Sequence, residues 1–108
     1  MCIRDRSKGA WVHVDGAFGL WAGASKKYSY LTKGYEDADS WATDAHKWLN
    51  VPYDSGLIFC RKPDDLVAAM SVSGNYLDQS GVRIPYQYTP ELSRKARGIE
   101  IWLSLIHI

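Results

Sequence analysis

The sequence predicts an α/β fold: a mostly parallel sheet that carries one antiparallel strand, with helices on its flanks. Three observations predict it. The run from Gly9 to Val14 is largely apolar, aromatic or β-branched, the composition of a strand covered on both faces in a parallel sheet. A second run, Ser40 to Asp44, begins far enough beyond Asp15 for the crossover of a dozen or more residues that parallel neighbours need. A third, Gly56 to Arg61, is reached through Asn50-Val51-Pro52-Tyr53-Asp54-Ser55, turn chemistry too short for a crossover, so it is expected antiparallel to the second.

In the first strand, a period of two places Trp11, His13 and Asp15 on one side, with Asp15 at the carboxyl end, where open α/β sheets bind ligands. Gly16, Ala17 and Gly19 keep the next turn slim enough for a flat ligand to lie against the backbone. Ala22 to Leu31 reads as a short helix or irregular crossover, closed by Thr32-Lys33-Gly34 with glycine just beyond the end. Pro63-Asp64-Asp65 opens a helix with acids in its first turn, and Leu66, Val67 and Met70 form its apolar stripe, Met70 being core. Ser73 to Tyr88 reads as a loop. Thr89-Pro90-Glu91 starts a last helix through Ser93 and Arg97 to Trp102, with Gly98 a weak point. Arg94 and Arg97 share a face of that helix, either solvated or facing a substrate carboxylate. There are no internal repeats.

A chain of 108 residues, 46% hydrophobic and 13% aromatic, has the material for a core, which excludes a disordered or low-complexity segment. Its formal charge of +1 offers no clustered basic face for nucleic acid or an anionic membrane. No apolar run approaches the roughly twenty residues of a membrane span, and no signal peptide is evident. Two cysteines, Cys2 and Cys60, make no disulfide framework, and Cys60 reads as a small hydrophobe in its strand; a reducing, cytoplasmic setting is expected.

The densest chemistry lies in Asp39-Ser40-Trp41-Ala42-Thr43-Asp44-Ala45-His46-Lys47-Trp48-Leu49-Asn50, where Lys47 reads as a reactive amine at the end of a buried strand. The bland alternative is a solvated loop lysine, since lysine is seldom buried unpaired. Upstream stands Trp11-Val12-His13-Val14-Asp15-Gly16-Ala17-Phe18-Gly19. Together the two stretches closely resemble the pyridoxal-phosphate-dependent decarboxylase family, which includes the aromatic amino acid and glutamate decarboxylases and is built on the aminotransferase fold. The resemblance covers nearly all of residues 8 to 102.

It implies that the chain is a fragment of the large cofactor-binding domain of a carboxy-lyase, homodimeric when whole and acting on an amino acid. Pyridoxal phosphate needs an amine to hold it and a carboxylate to keep its ring nitrogen protonated, so that the ring acts as an electron sink. By resemblance Lys47 is the Schiff-base lysine and Asp15 the pyridinium partner, while Ala17 packs on the ring and His46 reaches the phosphate. Burial or neighbouring cations generally make such an amine nucleophilic. Asp44 stands where relatives often carry Asn, a departure of one charge. The family's phosphate cradle and ring-stacking histidine precede the matched segment, and its mobile-loop tyrosine aligns cleanly with neither Tyr86 nor Tyr88. His13 reads equally as a core histidine or a functional one, and Trp41 and Trp48 as packing. Another lyase or an aminotransferase on the same cofactor is the neighbouring alternative. From the residues alone, His13, Asp15, Asp44 and His46 also spell a divalent-metal site for hydrolysis, which leaves Lys47 without a role.

The two ends read differently from the rest. Met1 to Arg6 can be written ATG TGT ATA AGA GAC AG plus one base, and Leu103 to Ile108 CTG TCT CTT ATA CAC AT plus one base, which are reverse complements. They look like the inverted transposon-end adapter of sequencing libraries. Residues 1–6 and 103–108 are therefore expected to be extraneous, with 7–102 the protein's own. Cys2 and His107 then leave any functional census, and without Arg4, Asp5 and Arg6 the charge falls from +1 to 0. Resequencing the source DNA with a different library chemistry should replace both ends and leave Ser7 to Trp102 intact; recovery of the same ends would defeat the expectation.

Overall fold

The computed structural model describes residues 7–71 and 82–106. These form two compact units, one within residues 7–61 and 97–106, the other within 62–71 and 82–96. The first contains a three-stranded sheet. Strand β1 (His13–Asp15) runs parallel to β2 (Ser40–Asp44), with His13 opposite Ser40 and Asp15 opposite Ala42. Strand β3 (Gly56–Cys60) runs antiparallel to β2, with Ser40 opposite Cys60 and Asp44 opposite Gly56. The order is β1-β2-β3, so the central strand is the one that leads into His46 and Lys47.

Parallel and antiparallel pairing follow the connection lengths, as predicted. Between β1 and β2 the chain makes three short 3₁₀ turns, Leu20–Ala24, Ser29–Thr32 and Tyr35–Asp37. Turns of this kind do not extend far, which gives the crossover its irregular form. Gly34 supplies the left-handed backbone, at φ 90°, that lets the third turn begin. The end of the crossover is tied to β1 before the strand starts: Val12 N–H donates to the Asp39 carboxylate at 2.9 Å, and Val12 C=O accepts from Asp39 N–H at 2.8 Å.

A one-turn helix, α1 (Ala45–Trp48), follows β2 without a linker. Its Ala45 is fully buried with Leu49 and Val51, and Trp21, Leu57 and Ile101 pack around them. Ala22 and Ala38 are also buried. The second unit holds α2 (Pro63–Met70), which starts at the proline with Asp64 and Asp65 in its first turn, and a 3₁₀ turn at Pro85–Tyr88. Of the loop expected over Ser73 to Tyr88, residues 73–81 lie outside the described residues. Helix α3 (Gly98–Ile106) belongs to the first unit.

Four expectations are corrected. The last helix starts at Gly98, not Pro90. Thr89 and Pro90 offer helix-start chemistry, but between Pro90 and Arg97 only Leu92 is a large apolar residue, whereas Ile99, Ile101, Trp102, Leu103, Leu105 and Ile106 cluster beyond Gly98. A short helix needs such a face to pack, and capping alone does not supply it. Strand β1 is not covered on both faces: His13 and Asp15 are exposed at the sheet edge. Met70 is half-buried rather than core, in a helix without a buried residue. Trp48 is 55% exposed, while Trp41 does pack, donating its indole N–H to Tyr35 C=O at 2.7 Å.

Close approach fixes one glycine. A Cβ on Gly16 would stand 2.7 Å from Leu20 Cβ and 3.1 Å from Ala42 O, whereas one on Gly19 would meet nothing within 4 Å. In the full-length protein Gly16→Ala should cost about 1–3 kcal/mol, the usual scale of overpacking, and Gly19→Ala less than about 0.5 kcal/mol. Denaturant midpoints of the two variants measure this directly, and equal midpoints would refute the packing argument.

Candidate functional site

The carboxyl ends of β1 and β2 lie side by side. Gly16 N–H donates to Ala42 C=O at 2.8 Å and Asp44 N–H to Ala17 C=O at 3.4 Å, so the pairing continues past the ends of β1 into the turn. This brings the first predicted stretch against the second. Asp15 accepts Ala17 N–H on Oδ1 at 3.1 Å, a side chain bonding two residues on, which fixes both the turn and the carboxylate. Lys47 Nζ lies 4.2 Å from the centre of the Phe18 ring, which the same turn carries. Such a cation over an aromatic face is held by the ring quadrupole.

Lys47 does not stand in a dry interior. Its side chain is 29% exposed, and Nζ is 2.5 Å from Asp44 Oδ2. A helical turn puts residues three apart on one face, so α1 itself aligns the pair. The Asp44 carboxyl is held below the ordinary aspartate value of 3.8, chiefly by the hydrogen bond from Lys47; partial burial opposes this, and the charges of Lys47 and His46 add to it. The predicted buried amine is thus a half-buried ion pair, because an unpaired ammonium there would have to give up water without compensation.

His46 is oriented from β3's side of the turn. Its Nδ1 lies 2.9 Å from Ser55 N and 3.0 Å from Ser55 O. A backbone N–H can only donate, so Nδ1 accepts from it, and in the neutral ring the proton then sits on Nε2. Nε2 is 3.9 Å from Asp44 Oδ2, and the Tyr53 ring leans over the imidazole with centroids 4.2 Å apart. Ser55 C=O receives Ala45 N–H at 2.8 Å and His46 N–H at 3.4 Å, so one buried residue organises both the backbone and the side chain of the motif.

His13 turns to another task. Ser40 Oγ lies 2.8 Å from Trp11 Nε1 and 2.7 Å from His13 Nδ1. The indole can only donate, which ties Trp11, His13 and β2 together. Among the described residues no group of three or more His, Cys, Asp or Glu could hold a metal ion, and His13, Asp15, Asp44 and His46 form no such group. Arg94 and Arg97 do not share a helix face: Arg94 pairs with Glu91 at 2.9 Å, and Arg97 with Asp54 at 3.4 Å and Glu100 at 3.6 Å. Tyr86 and Tyr88 lie on the 3₁₀ turn of the second unit, where Arg83 stands 4.6 Å from the Tyr88 ring. Phe18, Tyr53 and Ser55 were missed by sequence reasoning. The i,i+3 spacing of Asp44 and Lys47 was available as a signal for their pairing; nothing in the sequence marked the other three.

A family profile, the pyridoxal-dependent decarboxylase conserved domain, matches residues 1–107. Tyrosine decarboxylase of Papaver somniferum is 33% identical over 110 residues, covering 97% of this chain and 22% of its own length. Aromatic-L-amino-acid decarboxylase of Bacillus atrophaeus is 34% identical over 99 residues, covering 87% and 21%. The solved structure of Catharanthus roseus tryptophan decarboxylase in complex with L-tryptophan superposes with a TM-score of 0.80 at 26% identity, over 96% of this chain and 23% of that one. The chain belongs to the pyridoxal-dependent decarboxylase family, and its sheet is a piece of that family's cofactor-binding fold. It spans about a fifth of the length of the curated relatives it matches. This favours the decarboxylase reading over a metal-dependent hydrolase.

Pyridoxal phosphate is the cofactor of that family, and the donor set fits it. An amine and a carboxylate stand at the ends of adjacent strands, beside a turn whose Gly16 carries no side chain. The linkage between Asp44 and Lys47 has a definite sign. A carboxyl depressed on folding contributes stability that is fully present above 3.8 and is lost as pH falls through its lowered value. A carbon-13 carboxyl titration of the full-length protein should place the Asp44 midpoint below 3.8, and Lys47→Ala should move it upward; a midpoint indifferent to Lys47 would contradict the pairing.

Proposed function

We propose that this chain is part of a pyridoxal-phosphate-dependent carboxy-lyase acting on an aromatic L-amino acid, with residues 7–102 its own portion of the cofactor-binding domain. The carrying observation is the juxtaposition of the turn after Asp15 with the Asp44–Lys47 segment at the ends of two parallel strands. Relatives named as tyrosine and aromatic-L-amino-acid decarboxylases support the substrate class. The whole enzyme is a cytoplasmic homodimer in this reading, and the 108-residue segment alone is inactive. No helix among the described residues is long and apolar enough to cross a membrane.

When bound, pyridoxal phosphate supplies an electron sink for the pair left behind as carbon dioxide departs. The residues here would hold and tune it. Lys47 would provide the amine that carries it covalently. Asp15 would keep a proton on the ring nitrogen, its carboxylate fixed for that task by the bond from Ala17 N–H. Ala17 would pack on the ring, beside Gly16, which has no side chain. His46, with Ser55 N–H on Nδ1, would offer Nε2–H to the phosphate.

Borohydride reduction of the full-length enzyme followed by peptide mapping tests the assignment. The label should fall on Lys47, and Lys47→Ala should abolish both the yellow chromophore and the label. Asp15→Asn should keep the chromophore and lower turnover on the order of a hundredfold, the scale for removing a charge-stabilising group. A colourless enzyme that carries stoichiometric zinc or iron and loses activity on chelation would sink the reading.

A further inference from the structure

We propose that Asp44 is a positioning residue for Lys47: its carboxylate holds the Lys47 ammonium at the carboxyl end of β2 and so controls how readily the amine is released to bond the cofactor. The proposal rests on the reading of Lys47 as the cofactor lysine.

Asp44 does not cap the helix it precedes. It occupies the N-cap of α1, where an aspartate ordinarily accepts a backbone N–H of the first turn. Its side chain makes no such bond. The helix's leading donors, Ala45 N–H and His46 N–H, go instead to Ser55 C=O. The carboxylate is thereby left for a side chain, and it meets Lys47 Nζ at 2.5 Å.

The surroundings of the amine leave it to Asp44. Phe18 flanks it at 4.2 Å and offers no proton acceptor. Asp15, on the neighbouring strand, has its Oδ1 turned to Ala17 N–H. His46 on α1 has its Nε2 3.9 Å from the same Asp44 oxygen. Among the described groups, then, Asp44 is the acid paired with Lys47, with His46 and Asp15 the titratable residues beside it. The ammonium and the carboxylate meet at 2.5 Å, and that contact is the chief cause of the depressed Asp44 carboxyl.

Covalent capture requires the neutral amine, so the pair must open. With the Lys47 side chain 29% exposed, Nζ can give up one proton to solvent once it parts from Asp44. The freed amine would then condense with the cofactor's aldehyde with loss of one water, and Asp44 would stay ionised throughout.

The test mixes full-length protein, stripped of cofactor, with pyridoxal phosphate over a range of pH. It follows the absorbance of the covalent adduct and maps the borohydride-trapped peptide, for the wild type, Asp44→Asn and Asp44→Ser. Asparagine keeps the shape without the charge, and serine keeps the capping chemistry of the position; either variant suffices. In both, capture at a given pH should be roughly tenfold faster, because no carboxylate holds Nζ. A structural role alone would slow capture, not speed it. A capture rate unchanged or lowered, with the label on Lys47, overturns the role of Asp44 and leaves the cofactor assignment standing. A label on another residue overturns both.

Discussion

The parallel seam between β1 and β2 is the constraint on which the site depends. It continues beyond the last paired residues, through Gly16 N–H to Ala42 C=O and Asp44 N–H to Ala17 C=O, so the turn after one strand is docked on the end of the next. Buried backbone donors must find acceptors, and here the acceptors are supplied across the seam. The docking works because Gly16 has no Cβ to collide with Leu20 and Ala42. From it follow the placement of Phe18 over Lys47 and the adjacency of the Asp15 turn to the Asp44–Lys47 pair.

A second constraint comes from the antiparallel side. The short connection between α1 and β3 returns Ser55 to the start of α1, where its C=O accepts from two helix donors and its N–H donates to His46 Nδ1. One buried residue therefore sets the imidazole's orientation and releases Asp44 from capping. The charge chemistry at Lys47 is a consequence of where a loop carbonyl falls, not of the motif's residues in isolation.

The packing around this site is modest. Among the described residues the buried hydrophobics are Ala22, Ala38, Ala45, Leu49 and Val51, mostly small, while Trp11, Phe18, Tyr30, Ile58 and Trp102 each leave about half or more of their surface exposed. Small side chains at Ala38 and Ala45 let the backbone come close, which favours hydrogen-bonded seams over a deep core. Exposed aromatic and aliphatic surface on this scale is the kind that partner surfaces cover. The long relatives, of which this chain spans about a fifth, have chain enough to provide such cover.

Much of this was legible in the residues. Connection lengths alone dictated the parallel and antiparallel pairings, because a crossover needs residues that a turn does not have, and the residues of the two motifs together resembled one family. Pro63 with two acids marked the start of α2. Local chemistry misled where it lacked a partner: Thr89-Pro90 looks like a helix start, but the apolar face that stabilises a helix begins at Gly98. Exposure of Asp15, half-burial of Lys47 and the diversion of Asp44 from backbone to amine were decided by tertiary structure. Each depends on an atom contributed from elsewhere in the chain: the sheet edge, the Phe18 turn, the Ser55 carbonyl. Sequence determines which groups are available and which strands can pair; which acceptor reaches a given donor first is set by the geometry of the packed chain.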